Sequence, residues 1–224
     1  MQGRHEIKHV ISLTDYYVLR QRLRAVLKQD KHVGKAGCYM IRSLYFDSYD
    51  DRALKEKLDG VRDRDKYRIR FYNNDTSVIH LEKKSKRVDI GFKQSASLTK
   101  EQCQRIVDND FEWMKDHDHP LVQELYRGMK DDGLRPKTIV DYTRDPFTYS
   151  AGNVRVTLDH HIRSGLRCTD FLNPECVTIP VAPDVIVLEV KWDNFLPDIV
   201  REIVQVEDTR ATAFSKYAIC RIFE

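Results

Sequence analysis

The chain has 224 residues, 41% of them apolar and 33% charged, enough for one large domain with a sizeable core. Lys and Arg number 38 against 35 Asp and Glu, a net charge of +3, so bulk charge selects no partner and the placement of the basic residues has to do so. Five cysteines without a CxxC pair argue against a disulfide framework or a zinc site, no apolar run nears the ~20 residues of a membrane span, and Met1–Glu6 lacks the apolar stretch of a signal peptide, so the expected compartment is the cytoplasm.

Residues 5–11 read as a first strand. Thr14 is predicted to cap a helix with an apolar stripe at Tyr17, Leu19, Leu23, Val26 and Leu27; Tyr16 shares that core face. A strand over 38–47 precedes a short helix around 50–59 closed by Gly60. Strands are expected at 64–73, 77–85 and 88–95, the first two joined by an Asn73-Asn74-Asp75 turn. Residues 99–132 read as helical, opened by Thr99 with Gln102 three residues on and restarted by Pro120. Strands return at 137–149, 153–163 and 184–193, and 196–222 reads as two short helices. About eight antiparallel strands in one domain, residues 1–224, follow from this reading. Their closure is either a barrel or a sheet layered by helices.

Charge placement favours the barrel. A strand sends successive side chains to opposite faces. Lys66, Arg68, Arg70 and Tyr72 share one face, Tyr67, Ile69 and Phe71 the other. Like charges two residues apart, roughly 6.8 Å, repel by about 2 kcal/mol at an effective dielectric near 20, so an enclosed basic face calls for counter-charges or a bound anion. The same alternation places Arg4, Glu6 and Lys8 together, likewise His80, Glu82, Lys84 and Lys86, Arg155, Thr157 and Asp159, and Glu189 with Lys191. A sheet with one solvated face gives similar alternation, but Thr, Ser and Gln would then be common, whereas Arg suits bidentate phosphate recognition.

These residues resemble a known family. The stretches are Arg4-His5-Glu6-Ile7-Lys8, Arg42-Ser43-Leu44-Tyr45-Phe46-Asp47, Lys66 to Tyr72, Leu81-Glu82-Lys83-Lys84, Val140 to Arg144, Arg155 to Asp159, Leu188 to Lys191 and Phe214 to Tyr217. In order and spacing they resemble the VTC-domain polyphosphate polymerases, within the CYTH-like triphosphate tunnel metalloenzymes. The resemblance implies an α+β fold, an eight-stranded antiparallel tunnel β-barrel with helices packed outside. It implies ATP and inorganic polyphosphate as partners, Mn²⁺ or Mg²⁺ as cofactor, and transfer of the ATP γ-phosphoryl group to a growing chain. Carried over by position, it implies catalytic roles for Lys8, Arg68, Arg70 and Lys216, and phosphate contacts from Lys84, Lys93, Arg144 and Arg155. Lys66, Lys191 and Arg42, in the matching stretches, join the phosphate binders. Glu189 is the expected metal ligand, with Glu6 as a second.

One position departs from the pattern. Tunnel triphosphatases open with Glu-x-Glu-x-Lys, and here Arg4 stands at the first position. A carboxylate for metal or water is replaced by a cation, which resembles the polymerase branch. A tunnel triphosphatase and a non-catalytic polyanion-binding module are the alternatives. The sequence resembles a standalone bacterial-type copy, without the regulatory domain and membrane helices of eukaryotic VTC assemblies, and a membrane partner stays open. Nucleic acid is not an expected ligand: Lys83-Lys84-Ser85-Lys86-Arg87 reads as a hairpin lip of the tunnel. His117 and His119 read as solvent-exposed, and strand alternation sends His160 and His161 to opposite faces.

Overall fold

Period-two alternation organises the strands, the largest share of this chain's regular structure. In the computed structural model, the described residues are 3–88, 90–206 and 211–222. The first half runs β1 (His5–Ile11), α1 (Leu13–Val26), β2 (Lys28–Gln29), β3 (Tyr39–Asp47), α2 (Arg52–Leu58), β4 (Arg64–Tyr72), β5 (Asp75–Arg87) and β6 (Ile90–Leu98). Then follow α3 (Lys100–Val107), α4 (Pro120–Asp131), β7 (Arg135–Tyr149), β8 (Val154–Ser164), β9 (Ile179–Pro180), β10 (Ile186–Trp192), α5 (Asp198–Ile203) and α6 (Lys216–Ile222). Eight long strands pair antiparallel in the order β1-β10-β8-β7-β3-β4-β5-β6, and the two-residue strands β2 and β9 sit beside β7 and β8.

The sheet curls until its edges touch. Arg4 and Gly91 exchange two backbone hydrogen bonds of 3.0 and 3.2 Å, joining the start of β1 to β6. Farther along, the free edge of β1 is taken by the segment before α6: Thr212 N donates to Lys8 O at 2.8 Å. The result is a curled half-barrel with helices around it. Its outer apolar faces are covered, as the alternation required. Leu44, Ile69, Leu81 and Ile139 pack under α3 and α4 through Ile106, Leu121 and Leu125. Phe147, Val156, Leu158 and Leu188 pack under α1 and α5 through Leu19, Leu23 and Val200. Each such fully buried side chain contributes about 1.5–3 kcal/mol. Inside, Tyr45, Tyr142 and Val187 close on Tyr217 and Cys220 of α6, so this short helix fills one end of the lumen.

Local signals account for most boundaries. Thr99 and Gln102 form the capping box of α3, and Pro120 sits in the first turn of α4. Asn73 and Asn74 both take positive φ in the two-residue β4–β5 turn, the mirror-image geometry that matches strand twist.

Five expectations change. The cap of α1 is Ser12 rather than Thr14: Ser12 Oγ accepts from Asp15 N, and the Asp15 carboxylate accepts from Ser12 N. Its buried stripe is Tyr16, Leu19, Leu23 and Leu27, spaced three and four apart, which leaves Tyr17 and Val26 on the exposed face. The 99–132 stretch breaks around Asn109, which takes positive φ, and again before Pro120, with a 3-10 turn at Glu112–Asp116 between. Lys83–Arg87 is the final run of β5 rather than a hairpin lip. His160 and His161 do not face apart: His161 takes positive φ at a register shift between β7 and β8, and their Nδ1 atoms come within 2.9 Å.

Candidate functional site

The inward faces of the strands line a single cavity of about 530 Å³. Fourteen Lys and Arg side chains face it against three Glu. That imbalance is large beside a net charge of +3, so the chain concentrates its positive charge here. Register explains the grouping. Lys66, Lys84 and Lys93 lie in one row across β4, β5 and β6, with Arg68 and Glu82 in the next. On the opposite wall Glu6, Lys191 and Arg155 form one row, and Lys8, Glu189 and Thr157 another.

Two buried carboxylates hold the arginines in place. Glu82, 1% exposed, accepts from Arg68 Nε at 2.8 Å and pairs with Lys93 at 2.5 Å and Arg70 at 3.7 Å. Arg68 also donates to Tyr45 Oη at 2.8 Å, and Arg70 to Ser43 Oγ and Tyr142 Oη, each at 3.0 Å. Burial pushes the Glu82 carboxyl up, but Arg68, Arg70 and Lys93 hold it far below the usual range. Asp159, fully buried, receives Arg144 in a two-pronged pair of 2.6 and 2.7 Å and Lys216 at 2.5 Å. Burial opposes its ionisation; Arg144 and Lys216 prevail and bring it down to about 2. Tyr142 lies beneath Arg70, Arg144 and Lys216, its ring centroid 4.7 Å from the Lys216 ammonium.

The third cluster is mixed. Glu6 pairs with Lys8 at 2.7 Å, Lys84 at 2.8 Å and Lys191 at 3.3 Å. Glu189 pairs with Lys191 and, at 3.7 Å, with Arg144. Burial and neighbouring Glu189 raise the Glu6 carboxyl, but Lys191, Lys8 and Lys84 outweigh them and bring it to about 2. Lys8 moves the other way: burial lowers it, Glu189 and Glu6 raise it more, and the ammonium is held charged. Lys66 differs from all of these. It makes no ion pair among the described residues, reaching only Ser215 Oγ at 3.5 Å and the face of Tyr217. Burial, then Arg64 and Lys57, depress its ammonium to about 7. Burial and Lys8 bring Lys84 to the same value despite Glu6; its side chain is deep in the lumen yet 41% exposed, so it meets cavity water.

Lys8, Lys66, Arg68, Arg70, Lys84, Lys93, Arg144, Arg155, Lys191 and Lys216 all face the cavity, as do Glu6 and Glu189. Arg42 does not. Ser43 and Tyr45 of β3 point inward, so Arg42 points outward, 4% exposed, where it clasps Asp141 at 2.9 and 3.0 Å and donates to Asn173 O at 2.7 Å. Sequence reasoning passed over Lys57 and Arg64, and gave Asp159, Tyr142 and Glu82 no role. Glu82 and Asp159 were legible only as acidic members of basic alternating faces.

Glu6 and Glu189 are the cavity carboxylates that would meet a divalent ion. Glu189 stands close enough to oppose the ionisation of Glu6, and Thr157 Oγ1, next to Glu189 in register, is buried with no hydrogen-bond partner among the described residues. This all-oxygen set fits Mg²⁺ or Mn²⁺, which take one or two carboxylates and draw further ligands from phosphate and water. Among the described residues no group of three or more His, Cys, Asp or Glu has metal-holding geometry.

A solved structure agrees with the fold. Among solved structures, PH1012 protein from Pyrococcus horikoshii OT3 is similar over 96% of this chain and 98% of that one, with TM-score 0.51 and 12% identity. A structure described as a candidate adenylate cyclase from Bacillus halodurans has TM-score 0.49 and 13% identity over 85% of this chain and 80% of that one. No curated protein matches the sequence. Among the described residues no helix is long and apolar enough to cross a membrane. The VTC domain profile matches residues 3–222, nearly the whole chain, and with the curled antiparallel sheet and its charged lumen it identifies the protein as a member of the VTC domain family, within the CYTH-like triphosphate tunnel superfamily.

Proposed function

We propose that this chain is a metal-dependent polyphosphate polymerase that passes the γ-phosphoryl group of ATP to a growing polyphosphate chain. The observation that carries this reading is the lumen itself, fourteen cations against three carboxylates around about 530 Å³. Phosphoryl transfer needs positioning and charge neutralisation more than covalent help. Lys8, Arg68, Arg70 and Lys216 clamp the transferred group and its neighbours. Lys66, Lys84, Lys93, Arg144, Arg155 and Lys191 hold the adjoining phosphates. A terminal phosphate is already largely ionised at neutral pH, so the acceptor needs no general base. Glu189, with Glu6, holds Mn²⁺ or Mg²⁺, which offsets phosphate charge when bound. Arg4, paired with Asp193 at 2.8 Å, puts a guanidinium where a hydrolase places a carboxylate.

Incubation with ATP and Mn²⁺ is expected to yield ADP and long phosphate chains. ADP with orthophosphate and no phosphate chains would assign a tunnel triphosphatase, and tight polyphosphate binding without turnover would assign a binding module. Glu189→Ala is expected to abolish turnover; unchanged turnover in that variant would remove Glu189 from the metal site.

A further inference from the structure

Outside the cavity, the loop between β8 and β9 brings two thiols together. Cys168 Sγ and Cys176 Sγ lie 3.2 Å apart, inside the contact distance of two sulfur atoms, and both cysteines are free and half-buried. The loop is fastened around them. Cys168 N donates to Gly165 O at 3.0 Å, and Cys176 N to Asn173 O at 3.2 Å. Phe171 is fully buried against Phe71, with ring centroids 4.7 Å apart, and Arg163 Nε donates to Thr178 Oγ1 at 2.9 Å. Arg42, which the cavity does not use, reaches this loop: it donates to Asn173 O and lies within electrostatic range of both sulfurs. A buried guanidinium beside a thiol favours the thiolate, the reactive form.

We propose that Cys168 and Cys176 are a redox site that closes into a reversible disulfide by exchange with a small-molecule disulfide, stapling the β8–β9 loop. The two sulfurs share a hydrogen bond in which either can be the donor, and burial pushes the Cys176 thiol up to about 12. Cys168 loses its proton to solvent and attacks one sulfur of the reagent, forming a mixed disulfide and expelling one thiolate. Cys176 loses its proton to solvent and attacks the Cys168 sulfur, expelling the second. The pair loses two electrons and two protons, and the reagent leaves as two thiols. The bond closes a ring that contains Asn173, the residue whose carbonyl holds Arg42.

The test uses the full chain and glutathione disulfide, followed by alkylation and cleavage after Lys and Arg. The peptide Cys168–Lys191 carries both cysteines and no third. It is expected to lose two hydrogen atoms and retain no glutathione, with Tm rising by about 5 °C as the short loop closes. Dithiothreitol is expected to reverse both changes. Cys176→Ala is expected to keep one glutathione on Cys168, because no partner remains to expel it. Glutathione retained on the wild-type peptide, alkylation of both thiols after exposure to glutathione disulfide, or an unchanged Tm in the oxidised chain would each overturn the proposal.

Discussion

Glu82 shows how much a single buried side chain decides. It is the counter-ion of Arg68, Arg70 and Lys93, and without its charge those three cations face one another in a poorly solvated wall. Glu82→Gln keeps the shape and removes the charge. It is expected to cost about 3 kcal/mol of stability in a denaturant titration, the magnitude for breaking a buried ion pair. Added tripolyphosphate is expected to recover much of that loss by supplying the missing negative charge. At this scale the sequence was partly legible. Lys66, Arg68 and Arg70 stood out because charge alternated with Ile69 and Phe71. Arg42 misled because β3 is buried on both faces, so its alternation carries no mark of inside and outside. His160 and His161 misled because a bulge breaks the period that alternation assumes.

Among the elements, β4 and β5 carry a consequence for pH. Lys66 and Lys84 both sit near 7 in the folded chain, below the ordinary lysine value of 10.5. The unfolded chain therefore binds more protons between about 7 and 10.5, and these two groups let stability rise with pH across that window. A bound polyanion reverses the preference by favouring the charged ammonium. Binding of tripolyphosphate is expected to take up about one proton near pH 8 and to weaken as pH rises through the window. Calorimetry in buffers of different ionisation enthalpy reads that uptake, and Lys66→Met is expected to reduce it. The β7–β8 turn makes a separate prediction. Gly152 has φ +69°, and a Cβ there would run into the Phe195 carbonyl oxygen. Gly152→Ala is expected to destabilise the fold by about 2 kcal/mol or more, measured as a fall in denaturation midpoint. Such elements were readable from caps, turn residues and period. The Ser12 cap was missed because Thr14 is also a capping residue, and only the Asp15 hydrogen bonds choose between them.

For the whole molecule, local fields matter more than the total. A net charge of +3 hides a lumen crowded with cations. Tripolyphosphate affinity is expected to fall steeply with added salt, as counter-ions compete for the same cations; a flat response would show that charge does not govern binding. Closure of the sheet was legible through the charged alternating faces, but the contacts that make it, two hydrogen bonds between Arg4 and Gly91 and α6 filling one end, were not. No alternation or cap encodes either, since both are long-range contacts.

The pairing of β1 with β10 sets a timetable for assembly. His5 faces Trp192, so the first strand must wait for about 190 further residues before its partner exists. During synthesis that strand is an unprotected edge with Val10 and Ile11 available to any neighbouring chain. Distant pairing of this kind makes folding slow and leaves aggregation-prone intermediates. Lys8 and Glu6 enter the lumen only at this last step, so a nascent chain carries its arginine clamps well before it carries a complete site.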